Sequence, residues 1–330
     1  MKENAESGAG RWTVINVPTM SFYEYCELIG VPKPNLPENF QVSAFAQLSR
    51  PEQTQIMLQL SDVQKHFNRY LQVGGFPELA LSDNDMMAQQ IMSEDVVDKV
   101  LKRDLPALYS VRNPTELERI FLYLCNVSSE IVSIDALAKE LNGVSRPTVE
   151  NYIRYLESAN LIYQSMPTDL SGKKVLKAKP KIYIADAAIR NAVLMDEDML
   201  TNPTEMGKIV ETAVYKHVAA FYYQKSTSVG YYRGGKKDKE IDIVVEYPAA
   251  RSLLIEVKYR EAAPIPDDSA ICEQCGKAAA AMIITKEPGD YGVHHAPDGT
   301  KLTRIPAYAF LYLLGYAEKN EFLGKHGKSA

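Results

Sequence analysis

The stretch KEIDIVVEYPAARSLLIEVKYR, from Lys239 to Arg260, decides the fold of the C-terminal part of this chain. Two runs rich in β-branched and aliphatic residues flank a proline and two alanines, which is typical of two antiparallel strands joined by a turn. Side chains alternate between the two faces of a strand, so Glu256 and Lys258 are expected on the same face. A turn centred near Ala249 would place Asp242 opposite Glu256. The stretch therefore predicts two carboxylates and a lysine close together.

Two carboxylates on neighbouring strands have Cβ atoms about 4.5–5.5 Å apart and repel each other unless a cation or a proton lies between them. Oxygen ligands of this kind are those that Mg²⁺ prefers. The alternative interpretation is a solvated, charged face, because an acid and a lysine two residues apart are common on exposed strands. The hairpin alone leaves both interpretations open.

The order Asp242, then Glu256-x-Lys258 on the next strand, resembles the PD-(D/E)xK nuclease-like fold. The resemblance implies a further glutamate on a preceding helix, and Glu211 in KIVETAVYKHVAAFYY is the candidate. It also implies that these four residues are catalytic and that Asp242 and Glu256 bind Mg²⁺, which activates a water molecule for attack on a phosphate. Lys258 would offset the developing charge. Inactive versions of the fold also occur.

A wider resemblance covers nearly the whole chain. The segments GRW, VPTMSFYEY, YLQVGGFPEL and LKRDL follow one another in the order found at the end of a predicted ATPase family of the AAA+ class. The resemblance implies an α/β multidomain chain. Its parts would be a remnant of the AAA+ core at 1–30, a helical lid at 31–110, a winged helix at 111–190, a connector at 191–204 and a restriction-endonuclease-like α/β domain at 205–330.

The chain lacks the phosphate-binding motif G-x-x-x-x-G-K-[ST], on which nucleotide chemistry in that family depends. We therefore expect ATP only on a longer chain that carries the P-loop, and no ATP hydrolysis from this chain alone. Residues Arg11–Val17 predict a strand with nothing before it to pair with. Its own ATPase half or a protein partner is expected to supply the missing neighbour.

Residues 113–165 carry three helical patterns typical of a helix-turn-helix. Ser145 predicts the N-cap of the third helix, with a proline in its first turn. The exposed face of this helix would offer Arg146, Thr148 and Arg154 to a DNA major groove. The alternative is a winged helix that packs on protein.

A strand, a basic loop and a second strand follow, which is typical of the wing of a winged helix. Each lysine that neutralises a phosphate adds salt-dependent affinity for DNA. The lysines of this loop are Lys173, Lys174, Lys177, Lys179 and Lys181. We predict that Lys173, Lys174 and Lys177 contact DNA together with the helix residues, although solvated lysines would give the same pattern.

The composition is that of an ordinary globular protein: 330 residues, 46% hydrophobic and 24% charged. A net charge of −5 gives no global basic field, so DNA binding requires a local basic patch. Four cysteines are too few for a disulfide scaffold and fit the reducing cytoplasm. No apolar run approaches the ~20 residues of a membrane span, so we expect a cytoplasmic chain with no membrane partner.

Cys272-x-x-Cys275 and His294-His295 form the one pattern that suggests zinc. The spacing between the two pairs is loose, and two cysteines three residues apart on a helix usually serve packing. A closed structural zinc site needs four ligands, so we do not expect zinc here.

Overall fold

The protein is described by a computed structural model. The residues that it describes are 17–141, 143–168, 170, 179–195, 199–223, 225, 227–234, 239–247 and 250–326. The predicted strand Arg11–Val17, apart from its last residue, lies outside them, as do the predicted DNA contacts Lys173, Lys174 and Lys177. No helix in these ranges is both long enough and apolar enough to cross a membrane.

The chain folds into a mixed α/β structure in which helices dominate the N-terminal part. The helices are α1 (Phe22–Leu28), α2 (Val42–Phe45), α3 (Arg50–Gln59), α4 (Ser61–Gln64), α5 (Phe67–Val73), α6 (Pro77–Ala80), α7 (Asp85–Ile91), α8 (Leu105–Tyr109), α9 (Pro114–Asn126), α10 (Ile134–Glu140), α11 (Arg146–Ser158), α12 (Ala187–Leu194), α13 (Pro203–Tyr222), α14 (Ala270–Gln274) and α15 (Ala307–His326). Two π-helical segments, Met92–Asp98 and Val100–Asp104, connect α7 to α8, and a 3₁₀ turn, Cys275–Lys277, follows α14.

The strands of the described ranges form one mixed sheet. They are β1 (Glu130–Ile131), β2 (Ile162–Thr168), β3 (Lys181–Ile184), β4 (Ser228–Gly234), β5 (Lys239–Glu246), β6 (Leu253–Lys258), β7 (Ala280–Thr285), β8 (Gly292–His295) and β9 (Lys301–Pro306). Their order across the sheet is β1-β3-β2-β4-β5-β6-β7-β9-β8. The pairs β2–β4, β6–β7 and β7–β9 are parallel, and the others are antiparallel.

The sheet continues across the position where the sequence predicts a change of domain. Met166 of β2 is paired with Gly230 of β4, so the strands that follow α11 hydrogen-bond directly to the C-terminal strands. A side chain added at Gly230 would bring its Cβ within 2.3 Å of the Met166 carbonyl oxygen, so this close approach requires glycine. Helix α12 extends to Leu194, into the connector predicted at 191–204.

The local patterns of the α9–β3 segment are confirmed. The Ser145 side chain accepts a hydrogen bond from the Thr148 backbone N–H at 3.3 Å and begins α11. The apolar stripe of α11 is buried: Val149, Tyr152, Ile153 and Leu156. The segment follows the order helix, strand, helix, helix, strand, strand.

The C-terminal hairpin has the register predicted from its sequence. Ile243 of β5 is paired with Ile255 of β6, and the same register places Asp242 opposite Glu256. Helices α13 and α15 pack on one face of this part of the sheet, where Ile243 and Ile255 join the larger core. Helix α14 covers the other face, over a smaller core that includes Ile241.

A buried ion pair ties the N-terminal segment to α12 and α13. The Lys216 ammonium lies 2.8 Å from the Asp186 carboxylate and also donates to the Met20 carbonyl oxygen at 2.8 Å. The same Asp186 oxygen accepts from the Thr19 hydroxyl at 2.6 Å and from the Gly75 N–H at 3.1 Å. Because both charges are almost fully buried, each depends on the other for its solvation.

We expect Lys216→Met to lower the free energy of unfolding by about 3–5 kcal/mol, because the Asp186 charge would remain buried without its partner. Urea unfolding measures this difference. Lys208→Met is the matched control: Lys208 pairs with the half-exposed Glu130 on the surface, where the loss is expected to stay under about 1 kcal/mol. Equal losses in the two variants would contradict the role given to the buried pair.

Candidate functional site

The four residues predicted to form a catalytic site come from three neighbouring elements. Glu211 lies on α13, Asp242 on β5, and Glu256 and Lys258 on β6. Glu211 faces the sheet because the apolar stripe around it is buried against the core. This stripe consists of Ile209, Val210, Ala213, Val214, Val218 and Phe221.

A β-bulge directs Asp242 towards α13. The register between β4 and β5 shifts by one residue, so that Asp242 and Ile243 both lie opposite Tyr231. Ile241 and Val244 pack into the same core below α14 although they are three positions apart, which strict alternation would not allow. The extra residue therefore lets Asp242 share the α13 face with Ile243.

A buried lysine, Lys181, lies between three carboxylates of the site. Its ammonium is 2.7 Å from Glu211, 2.6 Å from Glu240 and 3.3 Å from Asp242. Its side chain is only 3% exposed. The prediction that Lys181 belongs to the basic loop before β3 is wrong. Lys181 is the first residue of β3 and is buried because its charge is matched by three acids.

Further hydrogen bonds fix the orientation of two of these carboxylates. The Tyr183 hydroxyl, also on β3, donates to Glu211 at 2.9 Å. The second oxygen of Asp242 accepts from the backbone N–H of Val257 at 2.8 Å. Both carboxylates are thus held by neutral donors as well as by Lys181, which limits the rotamers that they can adopt.

Glu256 forms the other half of the site. The Lys258 ammonium donates to Glu256 Oε1, which confirms that the two side chains share a face of β6. Glu256 Oε2 is buried and has no hydrogen-bond partner among the described atoms. A buried carboxyl oxygen without a partner is rare and marks a position that accepts a proton, a water molecule or a cation.

Burial shifts the pKa values of these groups. Burial and the nearby Asp242 charge raise the pKa of Glu211 to about 7, although Lys181 acts in the opposite direction. Burial and Asp242 likewise raise the pKa of Glu256 to about 8, against the effect of Lys258. Burial acts to lower the pKa of Lys181, but the surrounding acidic groups outweigh it and keep the pKa well above the ordinary value.

We call this group of side chains the acidic cluster. Its members are Glu211, Glu240, Asp242, Glu256, Lys181 and Lys258. Four carboxyl groups and two ammonium groups leave an excess of two negative charges when all are ionised, which is the charge of one divalent cation. The carboxylate donors are those that Mg²⁺ takes. With Lys181 between them, however, the carboxylates are not arranged to hold a metal ion: among the described residues, no three acidic, histidine or cysteine side chains are grouped in that way.

The three residues of α11 that were predicted to contact DNA differ in exposure and in the contacts that they already make. The exposed Arg146 guanidinium is engaged by two carboxylates, Asp135 at 2.9 Å and Glu150 at 2.8 Å. Thr148 is partly buried and its hydroxyl lies 2.8 Å from that of Ser145. Arg154 is exposed and contacts the neutral side chain of Asn151. Of the three, Arg154 thus keeps an exposed charge that no carboxylate engages in the described contacts.

The cysteine pair lies in a core and not at a surface. Cys272 on α14 and Cys275 in the following 3₁₀ turn are buried, and the Cys275 thiol donates to the Cys272 carbonyl oxygen at 3.2 Å. Burial raises the pKa of the Cys275 thiol, which disfavours the thiolate that metal ligation requires. His294 and His295 lie on strand β8.

Sequence reasoning missed Lys181, Tyr183 and Glu240 as members or supports of the site. A signal for two of them was present in KIYIAD, where Lys181 and Tyr183 are two residues apart in a run of strand-forming residues, so that a strand beginning at Lys181 would place both on one face. The surrounding apolar residues indicated a buried strand, which a lysine enters only with a charged partner.

Two family models match the chain. A domain of unknown function, DUF8612, matches residues 64–200, and a second one, DUF4143, matches residues 206–308. The boundary between them falls just before Met206 on α13. Lys181 therefore belongs to the first matched region, and the four carboxylates of the acidic cluster belong to the second.

Curated relatives are proteins named only as uncharacterized. One from Methanocaldococcus jannaschii is 26% identical over 57% of this chain and 41% of its own length. One from Mycobacterium tuberculosis is 29% identical over 52% of this chain and 38% of its own length. One from Haemophilus influenzae is 25% identical over 39% of this chain and 32% of its own length. The matched regions thus span about two fifths or less of these relatives. No solved structure matches the chain.

We expect Glu256→Gln to stabilise the protein increasingly as the pH rises. Folded Glu256 keeps its proton up to about pH 8, whereas the unfolded chain releases it above about pH 4.5, so the wild type loses stability as the pH rises between these values. Glutamine does not ionise, so the variant should match the wild type near pH 4.5 and exceed it by roughly 4 kcal/mol at pH 8.

Urea unfolding of both proteins at pH 4.5, 6.5 and 8 measures this difference. Glu261→Gln is the control, because the Glu261 side chain is 87% exposed and should give no pH-dependent gain. A Glu256→Gln advantage that shrinks as the pH rises would contradict the raised pKa.

Proposed function

We propose that this chain is the C-terminal part of an AAA+-class ATPase-family protein, that it engages DNA through residues 111–190, and that residues 205–330 carry a nuclease-like acidic site. The observation that carries the proposal is the convergence of Glu211, Asp242, Glu256 and Lys258 from one helix and two adjacent strands into the acidic cluster. Acidic residues on an antiparallel pair, with a glutamate from the preceding helix, are what the nuclease-like fold requires.

Two further observations support the assignment of the parts. The order of α9, β1, α10, α11, β2 and β3 is that of a winged helix, with α11 in the position of the recognition helix. The match of residues 206–308 to DUF4143 fits the ATPase-family proposal, because that domain is commonly found in ATPase-associated proteins. The relatives named above are more than twice as long as the region they share with this chain, which leaves room for an ATPase part in them.

The donors of the acidic cluster fit a divalent cation by their chemistry. Asp242 and Glu256 would hold Mg²⁺, which when bound polarises a phosphodiester and lowers the pKa of an attacking water molecule. Glu256 Oε2 is the buried oxygen that lacks a partner without a metal. Lys258 lies beside Glu256 and would offset negative charge at the phosphate. Glu211 would hold or release a proton, given its pKa of about 7.

A second candidate function is a non-enzymatic DNA- or protein-binding module with a degenerate nuclease-like fold. The observation in its favour is Lys181, whose ammonium lies among the carboxylates where a metal ion would have to bind. In this case the acidic cluster would stabilise the fold and the chain would act through binding alone.

Cleavage of mixed single- and double-stranded DNA with Mg²⁺ or Mn²⁺ separates the two candidates. A nuclease should lose its activity in both Asp242→Ala and Lys258→Ala, by at least about 100-fold, because each removes charge stabilisation at the reacting phosphate. Equal cleavage by wild type and both variants would indicate a contaminating nuclease. No cleavage by the wild type, with retained low-salt binding, would favour the binding module.

The DNA proposal predicts unequal effects of two arginines on the same helix. Arg154→Ala should lower affinity for DNA at low salt and reduce the slope of log K against log salt by about 0.9, the value for one phosphate contact. Arg146→Ala should have a smaller effect, because Asp135 and Glu150 already engage that guanidinium. A salt titration by gel shift or fluorescence anisotropy measures both, and a larger loss in Arg146→Ala would contradict this use of α11.

A further inference from the structure

The position of Lys181 is set by its backbone and not by a flexible loop. Lys181 is paired with Ile131 of β1 and with Ser165 of β2, so a strand lies on each side of it. In the sheet order, β2 and β4 separate β3 from β5. In a flat sheet with about 4.8 Å between strands, β3 and β5 would be about 14 Å apart, too far for a lysine side chain to bridge. The ammonium nevertheless lies 3.3 Å from Asp242, so the sheet departs from this flat arrangement between β3 and β5.

The Lys181 ammonium neutralises part of the negative charge that a bound metal ion would otherwise neutralise. It contacts one oxygen each of Glu211, Glu240 and Asp242 at 2.6–3.3 Å. Lys181 and Lys258 supply two positive charges against four carboxyl groups, so an excess of two negative charges remains when all of them are ionised. A divalent cation would supply the missing charge, but it cannot enter while the ammonium lies between the carboxylates.

We propose that Lys181 is an internal competitor for divalent cations: its ammonium closes the acidic cluster, and a Mg²⁺- or Mn²⁺-binding site forms when the ammonium leaves. This inference rests on the proposed function and adds its regulation. Glu211, Glu240 and Asp242 would then be free to turn towards one ion. The unpartnered Glu256 Oε2, which Lys181 does not contact in the described residues, would add a further oxygen ligand. A purely structural lysine would give a different result in the wild-type protein, because a divalent cation would not displace its ammonium from the carboxylates.

Mn²⁺ binding measured by loss of the free-ion EPR signal tests this competition. Lys181→Gln removes the charge of the side chain and keeps a hydrogen-bond donor at its end, on a side chain that is one atom shorter. It should bind one equivalent of Mn²⁺ at least about tenfold more tightly than the wild type. Lys208→Gln is the matched control, since Lys208 is also ion-paired but pairs with Glu130, outside the cluster, and it should bind as the wild type does.

The double variant Lys181→Gln/Asp242→Asn should lose the gain in affinity. Equal Mn²⁺ affinity in wild type and Lys181→Gln would overturn the proposal, and so would a gain that persists without the Asp242 carboxylate.

A second measurement uses the wild-type protein and does not depend on a variant that folds. Lys181 should resist reductive methylation without metal and become labelled at high Mg²⁺, relative to Lys208 in the same sample. Mass spectrometry of the peptides measures both. Labelling of Lys181 that does not change at Mg²⁺ concentrations that saturate binding would overturn the proposal.

The failures of the two proposals are distinguishable. Tighter Mn²⁺ binding by Lys181→Gln without DNA cleavage would retain Lys181 as a competitor and reject the nuclease. Metal-dependent cleavage by the wild type with unchanged labelling of Lys181 would retain the nuclease and reject the competition.

Discussion

The contact of one buried ammonium with three carboxylates constrains the rest of this structure. Lys181 can be buried only because acids surround it, and the acids can lie so close together only because Lys181 lies between them. The contact joins β3 to α13 and β5, which are far apart in sequence. The departure of the sheet from a flat arrangement, the position of α13 and the parallel pairing of β2 with β4 all have to satisfy this geometry at once.

A second buried ion pair, which also involves the long helix α13, holds the N-terminal helices. Lys216 lies five residues after Glu211 on α13 and pairs with Asp186, the residue that caps α12. The peptide segment around Met20 and the turn at Gly75 are fixed by this second pair. Helix α13 thus contributes an acid to one buried ion cluster and a base to another. Movement of this helix would disturb both, so the N-terminal segment and the acidic cluster are mechanically connected.

Much of the fold followed from local patterns in the sequence. The capped helix α11, the register of the hairpin and the buried stripe of α13 depend on neighbouring residues, and they were predicted correctly. The central role of Lys181 could not be predicted in the same way, because it depends on a departure from a flat sheet that brings together strands separated in the strand order. The bulge at Asp242 was also missed, since a sequence that alternates well does not reveal an inserted residue. Local signals therefore located three of the four acids, but neither Glu240 nor the buried base that compensates it.

The division of the acidic cluster between two family regions has a consequence for how such proteins can be rearranged. Residues 64–200 carry the lysine and residues 206–308 carry the carboxylates, so each region presents an unbalanced charge to the other. A fragment cut between them would leave Glu211, Glu240 and Asp242 without Lys181, or the buried Lys181 without these acids. Recombination between relatives would succeed only when the incoming half restores the charge balance. The two regions are separate as sequence families, but in this chain they form one electrostatic unit that has to be inherited together.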